Sequence, residues 1–278
     1  MTPVPGTLSA AEIKGFHDDG YVVVRGAFSP DDAQAMRVEW WAELAEVHGI
    51  QRDDRATWRN VPGDLKRPKR SPLEQRIATA QVRRVIDDLL GAGNWRQPRD
   101  WGRALVTFPE PGTWDVPTGL WHWDSACDWH VPALNALFVV SFVGSVAPRG
   151  GGTLILSGSP RLLTRHEAML TPDQRRSIPA ARRDLFYRTH PWLMALAGRA
   201  PSPPGRIRAF MDLETAIDGV PARVVELTGE PGDMVFCHPA IVHSVAPNRG
   251  AAPRFMRIKG QLMTHAGQAL LSRAMHPR

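Results

Sequence analysis

Three side chains in this 278-residue sequence have the types and spacing of a metal-binding set. His122 and Asp124 stand two apart in Gly119-Leu120-Trp121-His122-Trp123-Asp124. On a strand, alternate side chains point to one face, so both can reach the same ion. Far downstream, in GDMVFCHPAIVHSVAPNRG, a Gly232-Asp233 turn leads into an apolar, strand-like run that ends at His243. Two imidazoles and one carboxylate form the facial set of mononuclear non-haem iron(II) oxygenases. Such a set leaves three positions open, two for a 2-oxo-acid and one for dioxygen. Arg254 lies eleven residues after His243 and opens RFMRIKG. A guanidinium there can pair bidentately with the far carboxylate of 2-oxoglutarate. His238 and Arg249 share that spacing. His243 and Arg254 are preferred because Arg249 sits in a Pro-Asn-Arg-Gly turn, whereas Arg254 begins a strand. His-x-Asp alone is a weak signal; its competing reading is a surface pair, with His243 as a core histidine. The joint pattern carries the argument.

The neighbouring aromatic residues read two ways. Six of the ten tryptophans fall between Trp95 and Trp129. Trp121 and Trp123 would face away from His122 on a strand, which suits core packing, while Trp123 is also a candidate for the substrate pocket. Trp129 and His130 follow in SACDWHVP beside the open metal face and are candidate substrate-binding residues. Cys127 and Cys237 flank the two ligand segments and belong to no CxxC pair or zinc spacing, so they read as buried, inert thiols. His166 and His190 read as surface residues.

Several elements must position these groups. Ser9, with Glu12 three residues on, predicts a capped helix over 9–20 that Gly20 stops, and YVVVRGAF follows as a strand. Ser29-Pro30 starts a second helix containing Trp40, Trp41, Leu44 and Val47. Residues 49–75 read as a basic loop, and 73–90 as a third helix ending at Gly91. From about residue 100, short apolar runs alternate with Gly, Pro and Asn: RALVTF, LNALFVVSFV, GTLILS, ARVVEL, DMVFCH and RFMRIKGQ. This texture predicts a β sandwich or barrel. Residues 159–205 interrupt it with an Arg- and Pro-rich helical insertion, read as a lid. The expected organisation is one domain over 1–278, with helical and strand support at 1–95, a β core at 96–158 and 206–265, and the lid-like segment between.

Charge and hydropathy narrow the function classes. The net charge of +6 and pI near 10.0 raise nucleic acid as a partner. Arginines are scattered, however, and the one dense cluster, Lys66-Arg67-Pro68-Lys69-Arg70, is short. The expectation is a small-molecule substrate, with an anionic one an option, and no nucleic acid. The opening residues carry no apolar leader and no run of 18 apolar residues occurs, so a cytoplasmic protein without membrane association is expected.

On these residues the sequence resembles the phytanoyl-CoA dioxygenase family. The segments carrying the likeness are FHDDGYVVVRGAFS, the His-Trp-Asp, FVGSVAPRGGGTL, and GDMVFCHPAIVHSVAPNR with Arg254. The likeness is weak across 49–95 and 159–205. It implies a mainly β protein with flanking helices: a double-stranded β-helix (jelly-roll) core using iron(II), 2-oxoglutarate and dioxygen. It maps the metal ligands to His122, Asp124 and His243 and the oxo-acid arginine to Arg254. Phe142 takes the place of a family aromatic residue, often tryptophan, near the oxo-acid, and lacks an indole N–H. Ser244 stands one residue before a position where some members place a serine that contacts the oxo-acid. Relatives that halogenate replace the metal carboxylate by a small residue; Asp124 disfavours that outcome. The expected activity is hydroxylation, or a related oxidation, of a small organic molecule. A nucleic-acid demethylase and a non-catalytic cupin-like binding module are the alternatives.

Overall fold

Local signals at the N-terminus act as the sequence predicts. The Ser9 hydroxyl accepts from the Glu12 amide and the Glu12 carboxylate accepts from the Ser9 amide, a reciprocal cap on α1 (Ala10–Asp19). Gly20 ends the helix at φ 91°, a conformation that favours glycine, and a Cβ there would strike Pro160 and Ile241. These contacts come from a computed structural model, which describes residues 7–124 and 135–267.

β1 (Tyr21–Val24) leads to α2 (Pro30–His48), which Ser29 caps and Gly49 ends. The helix expected over 73–90 is divided. Pro72–Ile77 forms a 3-10 turn, and α3 (Ala80–Leu90) starts afresh at Thr79. Thr79 takes an extended conformation. Its hydroxyl accepts from the Val82 amide and donates to the Ala27 carbonyl, so the cap competes with helix continuation.

The β core comprises β2 (Arg103–Thr107), β3 (Ala136–Phe142), β4 (Thr153–Ser157), β5 (Thr215–Ile217), β6 (Val220–Glu226), β7 (Met234–Cys237), β8 (Val242–Val245) and β9 (Arg254–Met263). One sheet runs β1-β7-β3-β9-β2 and the other β5-β6-β4-β8, with every strand pair antiparallel. Phe138, Val140, Phe142, Val235 and Met256 of the larger sheet meet Ile155 and Leu227 between the sheets. The larger sheet's outer face packs on α2 and α3 through Phe236, Phe255, Trp40 and Val85. β3 is buried at every position because both its faces are covered. This is the expected mainly β architecture with flanking helices.

The insertion supplies the fourth layer. It holds α4 (Ser159–Met169), α5 (Pro172–Arg176), α6 (Pro179–Tyr187) and α7 (Pro191–Leu196). Leu163, Phe186, Leu193 and Leu196 pack with Leu154, Leu156 and Val224 on the outer face of the smaller sheet. The apolar side of 159–205 is thus core, whatever its polar edge does.

Candidate metal centre

Two histidines on adjacent backbone segments form the centre. His122 and His243 pair through both amides, N–H to O at 2.9 and 2.7 Å, which puts both rings on one face with centroids 4.3 Å apart. Each ring is held at Nδ1 by the carbonyl two residues earlier. His122 lies 2.6 Å from the Leu120 oxygen and His243 3.1 Å from the Ile241 oxygen. With Nδ1–H donating to a carbonyl, Nε2 carries the free lone pair, as a metal-binding imidazole needs. Leu120 achieves this at φ 61°, a left-handed conformation uncommon outside glycine and a form of strain that gathers at functional sites.

Asp124 completes the set. Its carboxylate lies 3.4 Å from His122 Nε2 and 3.8 Å from His243 Nε2, and the three ligand atoms fall within 4.8 Å of one another. This is the one such cluster of His, Cys, Asp or Glu among the described residues. Burial pushes the His243 imidazole down to about 4, so it stays neutral and able to coordinate. The contact with Asp124 raises His122 and holds the Asp124 carboxyl low. Gly260 keeps room for that carboxylate: a Cβ there would lie 3.1 Å from Asp124 Oδ2.

Along β9, alternation puts Arg254, Met256, Ile258 and Gly260 on the inner face. Arg254 is buried at the end opposite Gly260 and donates from Nη1 to the Gly151 carbonyl at 2.6 Å. Its Nε has no hydrogen-bond partner, and burial pushes the guanidinium down to about 10. Thr153, on the inner face of β4, likewise has a buried hydroxyl without a partner. Unsatisfied buried donors are rare and costly. The free Arg254 Nε and Thr153 hydroxyl fit the far carboxylate of an oxo-acid, and the His-Asp-His donor set fits iron(II).

A cavity of about 580 Å³ opens onto the triad. Phe138, Leu105 and Ile258 give it apolar walls, Thr153 lies at one side, and Lys69 and Arg103 stand among its lining. The Phe138 ring lies 4.7 Å from that of His243. This volume is typical of small-molecule pockets.

Other expected site residues are placed as follows. Phe142 is fully buried between the sheets, against Gly229. Ser244 donates its hydroxyl to the Gly119 carbonyl at 3.0 Å, tying β8 to the turn before His122. Trp123 is buried in the outer cluster beside Phe186. Trp129, His130 and Cys127 lie outside the described residues. His238 packs near Phe16, away from the triad, and Arg249 pairs with Glu110 at 3.4 Å. In the basic cluster, Arg67 pairs with Glu46 and Lys66 with Asp64, while Lys69 lines the cavity.

Several lining residues are not named by the sequence analysis, Thr153 and Phe138 among them. Thr153 sits in GGGTLILS with the parity of Ile155, the register partner of His243. Phe138 has the same parity as Phe142, four residues on. Both signals become usable once the strand pairing is known.

No family model matches the chain, and a search of curated proteins gave no significant match. Solved structures do share its fold. HygX from Streptomyces hygroscopicus, with nickel and 2-oxoglutarate bound, is 14% identical at a TM-score of 0.51, over 91% of this chain and 86% of that one. EctD from S. alaskensis, with bound Fe, is 19% identical at a TM-score of 0.50, over 93% of this chain and 78% of that one. At these identities the likeness is one of fold, and the same jelly-roll frame carries the triad described above.

Proposed function

We propose that this protein is an iron(II)- and 2-oxoglutarate-dependent oxygenase that hydroxylates, or otherwise oxidises, a small organic molecule. One observation carries the reading: two imidazoles with Nδ1 on backbone carbonyls present Nε2 beside the Asp124 carboxylate at one end of a cavity. The unpaired donors of Arg254 and Thr153 add a second support. His122, Asp124 and His243 would hold the metal. Arg254, with Thr153, would bind the distal carboxylate of the oxo-acid, and Phe142 would pack behind it. Bound iron(II) supplies the reduction of dioxygen, coupled to conversion of 2-oxoglutarate to succinate and CO2, with one oxygen atom entering the substrate in hydroxylation.

The chain's own residues do the rest. The Leu120 and Ile241 carbonyls fix the two rings, so His122 and His243 would each present Nε2 to a metal held beside Asp124. Phe138, Leu105 and Ile258 exclude water from the wall where the substrate would lie. Asp124 leaves no small-residue gap for a halide.

The test is succinate release from 2-oxoglutarate with added iron(II) and ascorbate. His122→Ala, Asp124→Ala and His243→Ala should each abolish it while circular dichroism stays unchanged. Near-normal succinate release by Asp124→Ala would remove oxygenase chemistry from this site. Metal binding without succinate release, with every candidate substrate, would instead favour a binding module.

A further inference from the structure

The rim of the cavity carries an excess of positive charge on a rigid support. Lys66, Lys69 and Arg103 converge on one carboxylate, Asp64, at 2.9, 2.7 and 4.0 Å. Lys259 pairs with Asp100 at 3.4 Å. Four cations therefore share two carboxylates. Lys69, Arg103 and Lys259 all line the cavity.

The Asp64 side chain is only 8% exposed, and the next residue is fixed: the Leu65 amide donates to the Ala104 carbonyl on β2. The cations thus stand on the edge of the larger sheet. Arg103 is the least closely paired of them, at 4.0 Å, and its side chain is more than half exposed.

Register separates this charge from the oxo-acid arginine. On β2 and β9, Arg103 pairs with Ile258 and Thr107 with Arg254. Four residues of strand separate the two arginines, about 13 Å at the usual rise. Arg103 lies toward Gly260 and the triad, whereas Arg254 lies at the far end. A single dicarboxylate held by Arg254 leaves Arg103 and Lys69 unclaimed. Between them and the triad run the apolar side chains of Leu105, Ile258 and Phe138.

We propose that Arg103 and Lys69 are specificity-determining residues that anchor an anionic group, carboxylate or phosphate, of an otherwise apolar substrate. This rests on the oxygenase reading for what happens at the other end of that substrate. The anchor holds the charged head at the rim and lays the apolar body along Leu105, Ile258 and Phe138, with a carbon presented to the triad. Charge-assisted pairing to a guanidinium gives both affinity and orientation.

The experiment uses full-length protein loaded with Ni(II) and saturating 2-oxoglutarate, so that no turnover occurs. Calorimetry compares octanoate, octyl phosphate and octanamide, which share an eight-carbon body. At least one anionic probe should bind tenfold or more tightly than octanamide, and whichever of the two binds better identifies the head group. In Arg103→Met/Lys69→Met this preference should fall below threefold, with octanamide and 2-oxoglutarate affinities unchanged within twofold. Arg165→Met, on a different surface, should keep it.

Equal binding of all three probes, binding of none, or a preference that survives in the double variant overturns the proposal. So does a loss of 2-oxoglutarate affinity in the double variant, which would assign these cations to the co-substrate. The titrations are repeated on metal-free protein. Discrimination there, in a protein that binds neither metal nor 2-oxoglutarate, would keep the anchor and reject the oxygenase reading.

Discussion

Arg254 Nε and the Thr153 hydroxyl are buried donors without an acceptor, and their energetics can be read out. Losing a hydrogen bond to a charged group costs about 1.5–3 kcal/mol. Arg254→Ala should therefore weaken 2-oxoglutarate binding by roughly 10- to 100-fold. Thr153→Val, which deletes one neutral donor at nearly constant volume, should cost about 1 kcal/mol, or roughly fivefold. Arg249→Ala should change neither, because Arg249 is engaged with Glu110. Calorimetry with Ni(II) measures all three. An unchanged affinity in Arg254→Ala, with a lost one in Arg249→Ala, would move the oxo-acid site. At this scale the sequence was informative where a short spacing suggests the geometry. The two-residue period of His122 and Asp124 suggested a shared face. The structure brings both beside His243, although His122 forms an isolated bridge and no strand spans 122–124; Arg254 does begin β9. Thr153 and Phe138 needed the pairing of β4 with β8 and of β3 with β9, which composition does not reveal. Arg257 shows the same limit. An arginine in a strand is ordinarily solvated, yet this one is fully buried against Glu74 with its guanidinium over Trp40.

Elements bring these residues together, and the Gly232-Asp233 turn is one that can be tested by pH. Asp233 accepts from the Gly26 and Glu230 amides and from Arg25, joining the end of β1 to the start of β7. Burial alone would raise its carboxyl, but those donors outweigh it and hold it below the usual carboxylate value. A depressed carboxyl contributes stability that is present above the unfolded-state value and is lost as pH falls through the folded one. Asp233→Asn should therefore destabilise by about 2 kcal/mol at pH 7, with the gap to wild type shrinking as pH falls below about 4. Urea midpoints across that range check it; a gap constant with pH would remove the charge from the argument. Capping signals at Ser9, Gly20 and Ser29 were legible because each is local. The break before α3 was not, because Thr79 is recruited by a distant carbonyl, that of Ala27.

The whole molecule is four layers, and its least legible part in the sequence is the insertion over 159–205. Its arginines suggested a cover for the pocket. The structure places its apolar side chains, Leu162, Leu163, Phe186, Tyr187, Leu193 and Leu196, in the cluster that also holds Trp121 and Trp123, the neighbours of His122. One insertion arginine reaches toward the metal segment: Arg183 lies over Trp123, 5.9 Å from its ring, with Nη2 3.5 Å from its carbonyl oxygen. The insertion should therefore act on the site through rigidity. Phe186→Ala deletes a fully buried ring and should cost about 3–5 kcal/mol in global stability. Arg183→Met keeps the stem over Trp123 but removes the charge. It should change stability by less than about 1 kcal/mol. Its effect should appear as a changed metal affinity, since Arg183 acts electrostatically on His122, Asp124 and His243. Limited proteolysis supplies the decisive contrast. A hinged lid would be cut quickly in the free protein and protected when Ni(II), 2-oxoglutarate and a substrate analogue are added. A core layer should be cut slowly in both states, with rates that agree within about twofold and rise together in Phe186→Ala, because access then follows the opening free energy of the packed layer. Protection appearing only with ligand would show that this layer opens and closes over the cavity.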